Sequence, residues 1–276
     1  MKAKLIFGLF FVSLCVSVTA QTGFRIFVQE DRGELTIVRT EGRIRELVIP
    51  AAINNMPVTA IGEGAFARRG LALVTIPDSV IEIGDRAFSY NQLSTLLIGN
   101  NVETIGRSAF ANNRLNNLTI GEAVSVIGTG AFMDNELVSL VLPDSVITIE
   151  AYAFFNNRLI NVNIPDSVDF IGEGAFSTNR LSRIVIGENV TTIGDGAFFD
   201  NRLTSITIPA GVDALGRRVF ESRITRRGAV PPIDFFDDED GELLYTTGTN
   251  FENFFAANGR RAGTYTFTRD GWIFEE

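Results

Sequence analysis

The sequence contains no histidine and a single cysteine, Cys15, near its N-terminus. Histidine-based triads, cysteine nucleophiles in the body of the chain and the usual zinc sites are therefore excluded. Paired carboxylates do not recur in a supporting context, and the recurring glycine pairs lack the pattern of a nucleotide-binding loop. The sequence predicts a protein that is not an enzyme and that uses no metal ion or cofactor.

Lysine is nearly absent as well, because only Lys2 and Lys4 occur. They precede an apolar run over residues 5–18 and the small residues that end at Ala20. This order is typical of a signal peptide that is cleaved after Ala20. The sequence therefore predicts export, to the cell surface, the medium or the periplasm.

Cleavage there would leave 22 arginines against 33 acidic residues, a net charge of −11. Nucleic acid and anionic lipid are poor partners for so acidic a chain. Lipidation of Cys15 is the alternative to simple cleavage, but Leu14 is too bulky for the usual lipidation motif. No second apolar stretch of about 20 residues follows, so no transmembrane span is predicted.

A phenylalanine returns every 22 residues through the central part of the chain. The eight positions are Phe66, Phe88, Phe110, Phe132, Phe154, Phe176, Phe198 and Phe220. No insertion interrupts this interval, and seven of the eight follow an alanine. Self-similarity at a fixed period of about 20 to 50 residues predicts a solenoid, in which each unit forms one coil and equivalent residues stack.

Each unit also carries three spaced apolar residues, as in Leu115, Leu118 and Ile120. The alternation around the last two predicts a short strand with these side chains inward and the intervening one outward. A proline or glycine follows and predicts a corner. An asparagine stands two residues before most leading leucines, as Asn113 does here. We expect it either to take a left-handed turn or to bond the backbone of the neighbouring coil.

The unit from Leu181 to Asn201 has the order Leu-x-x-Ile-x-Ile-Gly-x-x-Val-x-x-Ile-Gly-x-x-Ala-Phe-x-x-Asn. It resembles the BspA-like, or treponemal-type, leucine-rich repeat of bacterial surface proteins, and the likeness covers residues 44–220. The tail segment 258–265 is similar to one on spirochaetal members. The resemblance implies a curved, exported or surface-attached array that adheres to host matrix proteins or takes part in coaggregation.

Together these features predict a mainly β solenoid, a right-handed leucine-rich repeat coil array with a parallel sheet on one face. The predicted divisions are a signal peptide over 1–20, an N-terminal β cap with an atypical first repeat over 21–70, the repeat array over 71–220, and an acidic linker with a C-terminal aromatic hairpin cap over 221–276. We expect the chain to be a monomer.

The outward strand positions predict a broad, weakly polar surface that suits contact with a macromolecule, such as a host matrix protein or a bacterial surface protein. Threonine and valine at these positions also fit an ordinary strand preference. A passive envelope scaffold and a glycan-binding or cation-binding module are the alternatives. The candidate binding residues are Thr75, Thr95, Leu97, Asn117, Thr119, Ser139, Val141, Asn161, Asn163, Arg183, Val185, Ser205 and Thr207.

Arginines recur immediately before the leading leucine, and Arg158, Arg180 and Arg202 belong to successive coils. Like charges at the spacing of neighbouring strands, about 5 Å, repel one another unless something neutralises them. These side chains either extend into water or pair with acids on adjacent corners, such as Glu173 and Asp195. Alternatively they form an anion strip for sulfated glycan or phosphate groups.

The repeat period is lost after residue 220. Converging carboxylates could hold calcium in the acidic stretch 237–242, but Phe236 stands where the first ligand of a calcium loop would be. A solvated acidic linker is the other interpretation. The pattern predicts a short helix over 251–257 and an aromatic hairpin over 265–274.

Overall fold

The computed structural model describes residues 24–203 and 205–220, and the main chain of six strands outside these ranges. No helix occurs in the part of the chain so described. The six outer strands are β1 (Ser13–Val16), β20 (Ser222–Arg223), β21 (Phe235–Asp237), β22 (Leu243–Tyr245), β23 (Gly263–Thr268) and β24 (Gly271–Glu275). The short helix predicted over 251–257 and most of the acidic stretch fall outside the described residues.

The chain winds into a mainly β, parallel solenoid, so the predicted fold class is confirmed. The first strand of each coil comes from the apolar pattern that includes the leading leucine. These first strands are β4 (Glu46–Val48), β7 (Leu73–Thr75), β9 (Thr95–Leu97), β11 (Asn117–Thr119), β14 (Asn161–Asn163), β16 (Arg183–Val185) and β18 (Ser205–Ile208).

A second, shorter strand in each coil forms another sheet, which the sequence did not predict. Its members are β6 (Met56–Ile61), β8 (Glu82–Ile83), β10 (Thr104–Ile105), β12 (Val126–Ile127), β13 (Thr148–Ile149), β15 (Phe170–Ile171), β17 (Thr192–Ile193) and β19 (Ala214–Leu215). Neighbours pair in parallel with a register of one repeat, so that Ile105 lies opposite Ile127. This second sheet is unbroken from the first coil to the last.

The N-terminal end begins with the antiparallel hairpin of β2 (Arg25–Asp31) and β3 (Glu34–Glu41), and β3 joins the second sheet by pairing in parallel with β6. The extra residues of the first coil form a tight hairpin between β5 (Ala52–Ile53) and β6. Asn54 and Asn55 make its turn with positive φ angles of 51° and 65°. Two consecutive left-handed residues are what a two-residue hairpin turn requires, and asparagine tolerates them well.

Beyond the repeats, β23 and β24 pair as an antiparallel hairpin, and β23 pairs antiparallel with β18. The sheet of first strands is thus extended past the last coil. At the other end, β1 pairs antiparallel with β2.

The phenylalanines form a continuous column through the core. Seven of the eight are fully buried, and Phe220 is 3% exposed. Adjacent rings are stacked with centroids 5.0 to 5.8 Å apart and planes within 11° of parallel. The 22-residue interval in sequence therefore places one aromatic ring per coil at one point of the cross-section, as predicted.

A ladder of buried asparagines runs beside this column. In Asn135, the side-chain Nδ2 donates to the carbonyl of Phe110 in the preceding coil at 3.0 Å and to that of Phe132 in its own coil at 3.1 Å. Its Oδ1 accepts from the N–H of Leu115 at 3.0 Å. The other members are Asn91, Asn113, Asn157, Asn179 and Asn201.

Of the two roles that the sequence left open for these asparagines, the structure shows bonding to the neighbouring coil. The left-handed conformation belongs instead to the residue immediately before each asparagine. This position is occupied by Tyr90, Asn112, Asp134, Asn156, Thr178 and Asp200, with φ between 52° and 57°. The equivalent residue of the first coil, Arg68, has a φ of 57° and is followed by Arg69.

Thr178 is the β-branched residue of this series, and its φ is 56°. Left-handed backbone costs an ordinary L residue roughly 1–2 kcal/mol, and asparagine less. We expect Thr178→Asn to raise the free energy of unfolding by about 1 kcal/mol, measured by urea denaturation. The same change in β17, Thr192→Asn, should give no gain, and an equal gain in both variants would contradict the backbone explanation.

Candidate binding face

The outward side of the first strands, together with the equivalent segment 139–141, is called the strand face below, and the candidate binding positions belong to it. Parallel pairing aligns equivalent residues of neighbouring coils, with Thr75 opposite Leu97 and Asn163 opposite Val185. Inward residues of the same strands, such as Val74 and Leu96, are each 1% exposed. Inward and outward side chains therefore alternate along each strand, so that one set packs in the core and the other set forms the strand face.

Exposure on the strand face is uneven. Val141 is 81% exposed and Leu97 is 49% exposed, whereas Thr75 and Thr95 are half-buried. Val185 and Thr207 are half-buried too. The exposed candidates are Leu97, Asn117, Thr119, Ser139, Val141, Asn161, Asn163 and Arg183. For Ser205 the structure gives only its place in β18, opposite Arg183 of β16.

The strand face is not one continuous sheet. Its first part has the order β11-β9-β7-β4 and its second part begins at β14. Between them, residues 139–141 form no strand. The prediction of a strand containing Ser139 and Val141 is therefore wrong, although both side chains are exposed as expected.

The interruption is a loss of main-chain hydrogen bonds. Elsewhere the residue after the strand bonds the next coil, as the N–H of Ile98 does to the carbonyl of Thr119 at 3.1 Å. Within the described residues, the five N–H groups from Val138 to Leu142 donate no hydrogen bond to the protein, and neither does that of Ile120. We call this gap, on both sides of residues 139–141, the sheet opening.

Neighbouring bonds limit the extent of the sheet opening. The N–H of Glu136 still donates to the carbonyl of Leu115 at 3.0 Å, and that of Ile160 donates to the carbonyl of Val138 at 3.2 Å. The phenylalanine column also passes this level unbroken, since Phe132 lies 5.4 Å from both of its neighbours. The coils are thus held together on the phenylalanine side and parted only along the strand face.

A groove of about 690 Å³ occupies the sheet opening. Its apolar walls include Val138 and Ile160, which are 44% and 45% exposed. Asn161 and Asn163 contribute amides, and Arg183 is the charged residue among those that line it. The groove therefore combines apolar surface, side-chain amides and one positive charge.

Val138 and Ile160 were not among the residues predicted from the sequence. They stand directly after the leading leucine, where other coils have Ala72, Ser94 or Asn116. Two successive large aliphatic residues at a position that is otherwise small or polar are a signal that sequence reasoning could have used.

Comparison with known proteins identifies the repeat. A family model described as the BspA-type leucine-rich repeat region matches residues 43–137 and 103–225, with six copies. The matched segments together span more than half of the chain. The chain belongs to this family. BspA-type proteins are generally non-enzymatic repeat proteins, typically of the cell surface.

Three solved structures are similar to this BspA-type protein. The pneumococcal vaccine antigen PcpA is 17% identical with a TM-score of 0.54, over 74% of this chain and 67% of that one. A leucine-rich cell surface protein from Faecalibacterium prausnitzii A2-165 is 24% identical with a TM-score of 0.44, over 73% of each chain. A leucine-rich repeat protein of T. pallidum is 23% identical with a TM-score of 0.43, over 72% and 81%. No curated protein matches the chain.

The arginines of the predicted anion strip are all exposed. Arg158 forms an ion pair of 2.9 Å with Glu136, which holds the equivalent position in the preceding coil. The acids named from the sequence have other partners. Glu173 accepts a hydrogen bond from the hydroxyl of Tyr152, which raises the pKa of that phenol, and Asp195 accepts from the N–H of Arg217 at 2.9 Å. Binding of anions by this strip stays a prediction.

The described residues offer neither a cluster of metal-binding side chains nor a membrane-spanning helix. Among them, no three acidic, histidine or cysteine side chains converge in the way that a metal ion would need. No helix in the same part of the BspA-type chain has the length and apolar character to cross a bilayer.

Proposed function

We propose that this BspA-type protein is exported and binds a macromolecular partner, a host matrix protein or a bacterial surface protein, through its strand face. The observation that carries the proposal is the character of this face. It runs along the successive coils, eight of its thirteen candidate residues are exposed, and Arg183 is the one charged residue among the thirteen. A large surface that is poor in charge has the composition of the buried centre of a protein interface.

Exposed aliphatic side chains support the same proposal. Val48, Leu73, Leu97 and Val141 all point outward from the strand face with exposures between 40% and 81%. Apolar area of this kind is costly to leave in water and marks interaction surfaces when it is contiguous. Exposed apolar side chains also occur off this face, as at Ile81 and Ile147, but Val48, Leu73, Leu97 and Val141 all belong to one face.

The test is to place three carboxylates on the face. Thr119→Glu, Val141→Glu and Asn163→Glu together should leave the free energy of unfolding within about 1 kcal/mol of wild type, because all three sites are exposed. Binding to immobilised purified matrix proteins, namely fibronectin, laminin and collagen, should fall at least tenfold. A surface-plasmon-resonance titration against each protein gives the measurement.

A matched control uses the other sheet. Thr104, Val126 and Thr148 are half-buried residues of second strands in three successive coils. Replacing them with glutamate adds the same charge to the same part of the array, away from the strand face. Equal loss of binding in both triple variants, or binding by neither wild type nor variant, would contradict the proposal.

Export to the surface is tested separately. Protease added to intact cells should remove the protein if it faces the outside. Protection from the protease would favour the alternative of a periplasmic scaffold. The two experiments are independent, since the first uses purified protein and the second uses cells.

A further inference from the structure

The sheet opening leaves main-chain groups that a strand would normally satisfy. Five consecutive N–H groups, from Val138 to Leu142, have no protein acceptor among the described residues. Val138, Ser139 and Val141 are exposed, whereas Leu140 and Leu142 are buried residues whose side chains face the core. In an extended chain, alternate residues direct their N–H groups to the same edge, and unpaired groups on one edge are a template on which another extended chain can pair. No other coil of the described array between β4 and β18 lacks its first strand.

The side chains that line the groove can contact a bound segment in addition to the main-chain groups of residues 138–142. Val138, Ile160 and Val185 offer apolar contact, and Asn161 and Asn163 offer amides that can each donate to a carbonyl and accept from an N–H. Arg183 supplies one positive charge in a chain whose net charge is −9. The volume of about 690 Å³ falls in the range of ligand sites, about 300–1,000 Å³.

We infer that the groove binds an extended peptide segment of the partner protein, which adds as a strand against residues 138–142 and places an acidic side chain on Arg183. Strand addition gives affinity through the main chain, while alternate side chains of the added segment enter the apolar part of the groove. A glycan would satisfy the amides but would leave the row of main-chain donors without a complementary row of carbonyls. The inference rests on the proposed function, because it specifies how the strand face engages its partner.

The probe is a labelled synthetic peptide of sequence Thr-Val-Asp-Val-Thr-Val, with binding followed by fluorescence anisotropy. We expect saturable binding to the full chain. Methylation of alternate peptide nitrogens on one edge removes the N–H donors of that edge and places methyl groups there, without changing side chains. It should weaken binding at least tenfold when that edge faces the groove. Methylation of the opposite edge should change affinity much less.

Two arginine variants distinguish a specific contact of the peptide with Arg183 from a general effect of the protein's charge on peptide affinity. Arg183→Gln should reduce affinity about threefold, in line with an exposed charge pair, and should abolish the preference for aspartate over asparagine in the peptide. Arg180→Gln removes an equal charge three residues away, outside the groove, and should do neither. Equal effects of the two variants would overturn the assignment of the carboxylate to Arg183.

Hydrogen exchange locates the contact without any substitution. In the free protein the amides of Val138 to Leu142 should exchange faster than that of Ile164, which bonds the carbonyl of Val185 at 3.0 Å. Saturation with the peptide should slow exchange across 138–142 and leave Ile164 unchanged. No peptide binding, equal affinity for both methylated peptides, or no protection at 138–142 would each overturn the inference.

Different results would contradict the proposed function and the strand-addition inference. If the triple glutamate variant loses matrix-protein binding but the peptide does not bind, the strand face is the binding surface and the strand-addition inference is wrong. If the peptide binds as described and no matrix protein does, the inference holds and the proposed partner class is wrong.

Discussion

Replacing Phe132 with alanine should lower the free energy of unfolding by about 3–5 kcal/mol. The ring is fully buried and stacked between those of Phe110 and Phe154 at 5.4 Å on each side. Truncation would leave a cavity between two coils that are fixed by their main-chain ladders and by the asparagine ladder. Because the site cannot collapse freely, the cavity contribution adds to the lost transfer free energy.

Urea denaturation followed by circular dichroism gives the measurement. Phe170→Ala is the matched control, because Phe170 lies in the same region but is 38% exposed and outside the column. We expect it to cost less than about 1 kcal/mol. A loss below about 1 kcal/mol for Phe132→Ala, or similar losses for both variants, would show that the stacked column does not stabilise the array.

Replacing Asn135 with alanine should also lower the free energy of unfolding by about 3 kcal/mol or more. The change leaves the buried N–H of Leu115 without its acceptor and the carbonyls of Phe110 and Phe132 without a donor. An unsatisfied buried polar group costs about 1–3 kcal/mol. The cost should therefore exceed that of an ordinary truncation of similar volume.

Two further variants separate hydrogen bonding from packing. Asn135→Asp keeps the shape and the acceptor for Leu115 but removes the donor to two carbonyls, so it should destabilise strongly with no cavity. Asn117→Ala removes an exposed asparagine of the strand face and should change stability by less than about 0.5 kcal/mol. A small effect of Asn135→Asp would mean that volume, and not hydrogen bonding, explains the alanine result.

The main features of the fold follow from residues that recur. The interval of the phenylalanines predicted one ring per coil, and the alternation around Val74 and Leu96 predicted which side chains face the core. Repetition makes these predictions secure, since each position is confirmed by its equivalents in other coils. The recurrence of asparagine was equally clear in the sequence. The sequence did not decide between its two possible roles, because hydrogen-bond partners depend on how closely neighbouring coils approach each other.

Residues that depart from the repeat were harder to interpret from the sequence than residues that recur in every coil. Glu150 stands where seven other coils have glycine, and the structure shows its carboxylate accepting from the N–H of Thr129 at 2.8 Å and from the hydroxyl of Thr129 at 2.6 Å. In other coils an aspartate makes the equivalent bond, as Asp85 does to the N–H of Arg107 at 2.8 Å. Arg107 occupies the aspartate position before Thr129, so Glu150 supplies the missing acceptor from the opposite side.

The sheet opening could not be predicted, because residues 137–142 keep the apolar pattern of every other coil. Local pattern specifies which side chains are inward, but it does not specify the distance between one coil and the next. The groove and its apolar walls arise from that distance. The candidate residues of the strand face were therefore found from sequence, whereas their division into two sheets required the structure.

The sheet opening also has a mechanical consequence. Along most of the array, tension applied at the two ends would be shared by both sheets and by the phenylalanine column. At residues 139–141 the strand face has no ladder of main-chain hydrogen bonds, so load there passes through the second sheet and the phenylalanine column. We therefore expect the described array to bend most easily at the sheet opening, by widening or narrowing the groove about the stacked rings. A partner that pulls on the protein would change the shape of the groove before it strained any other coil.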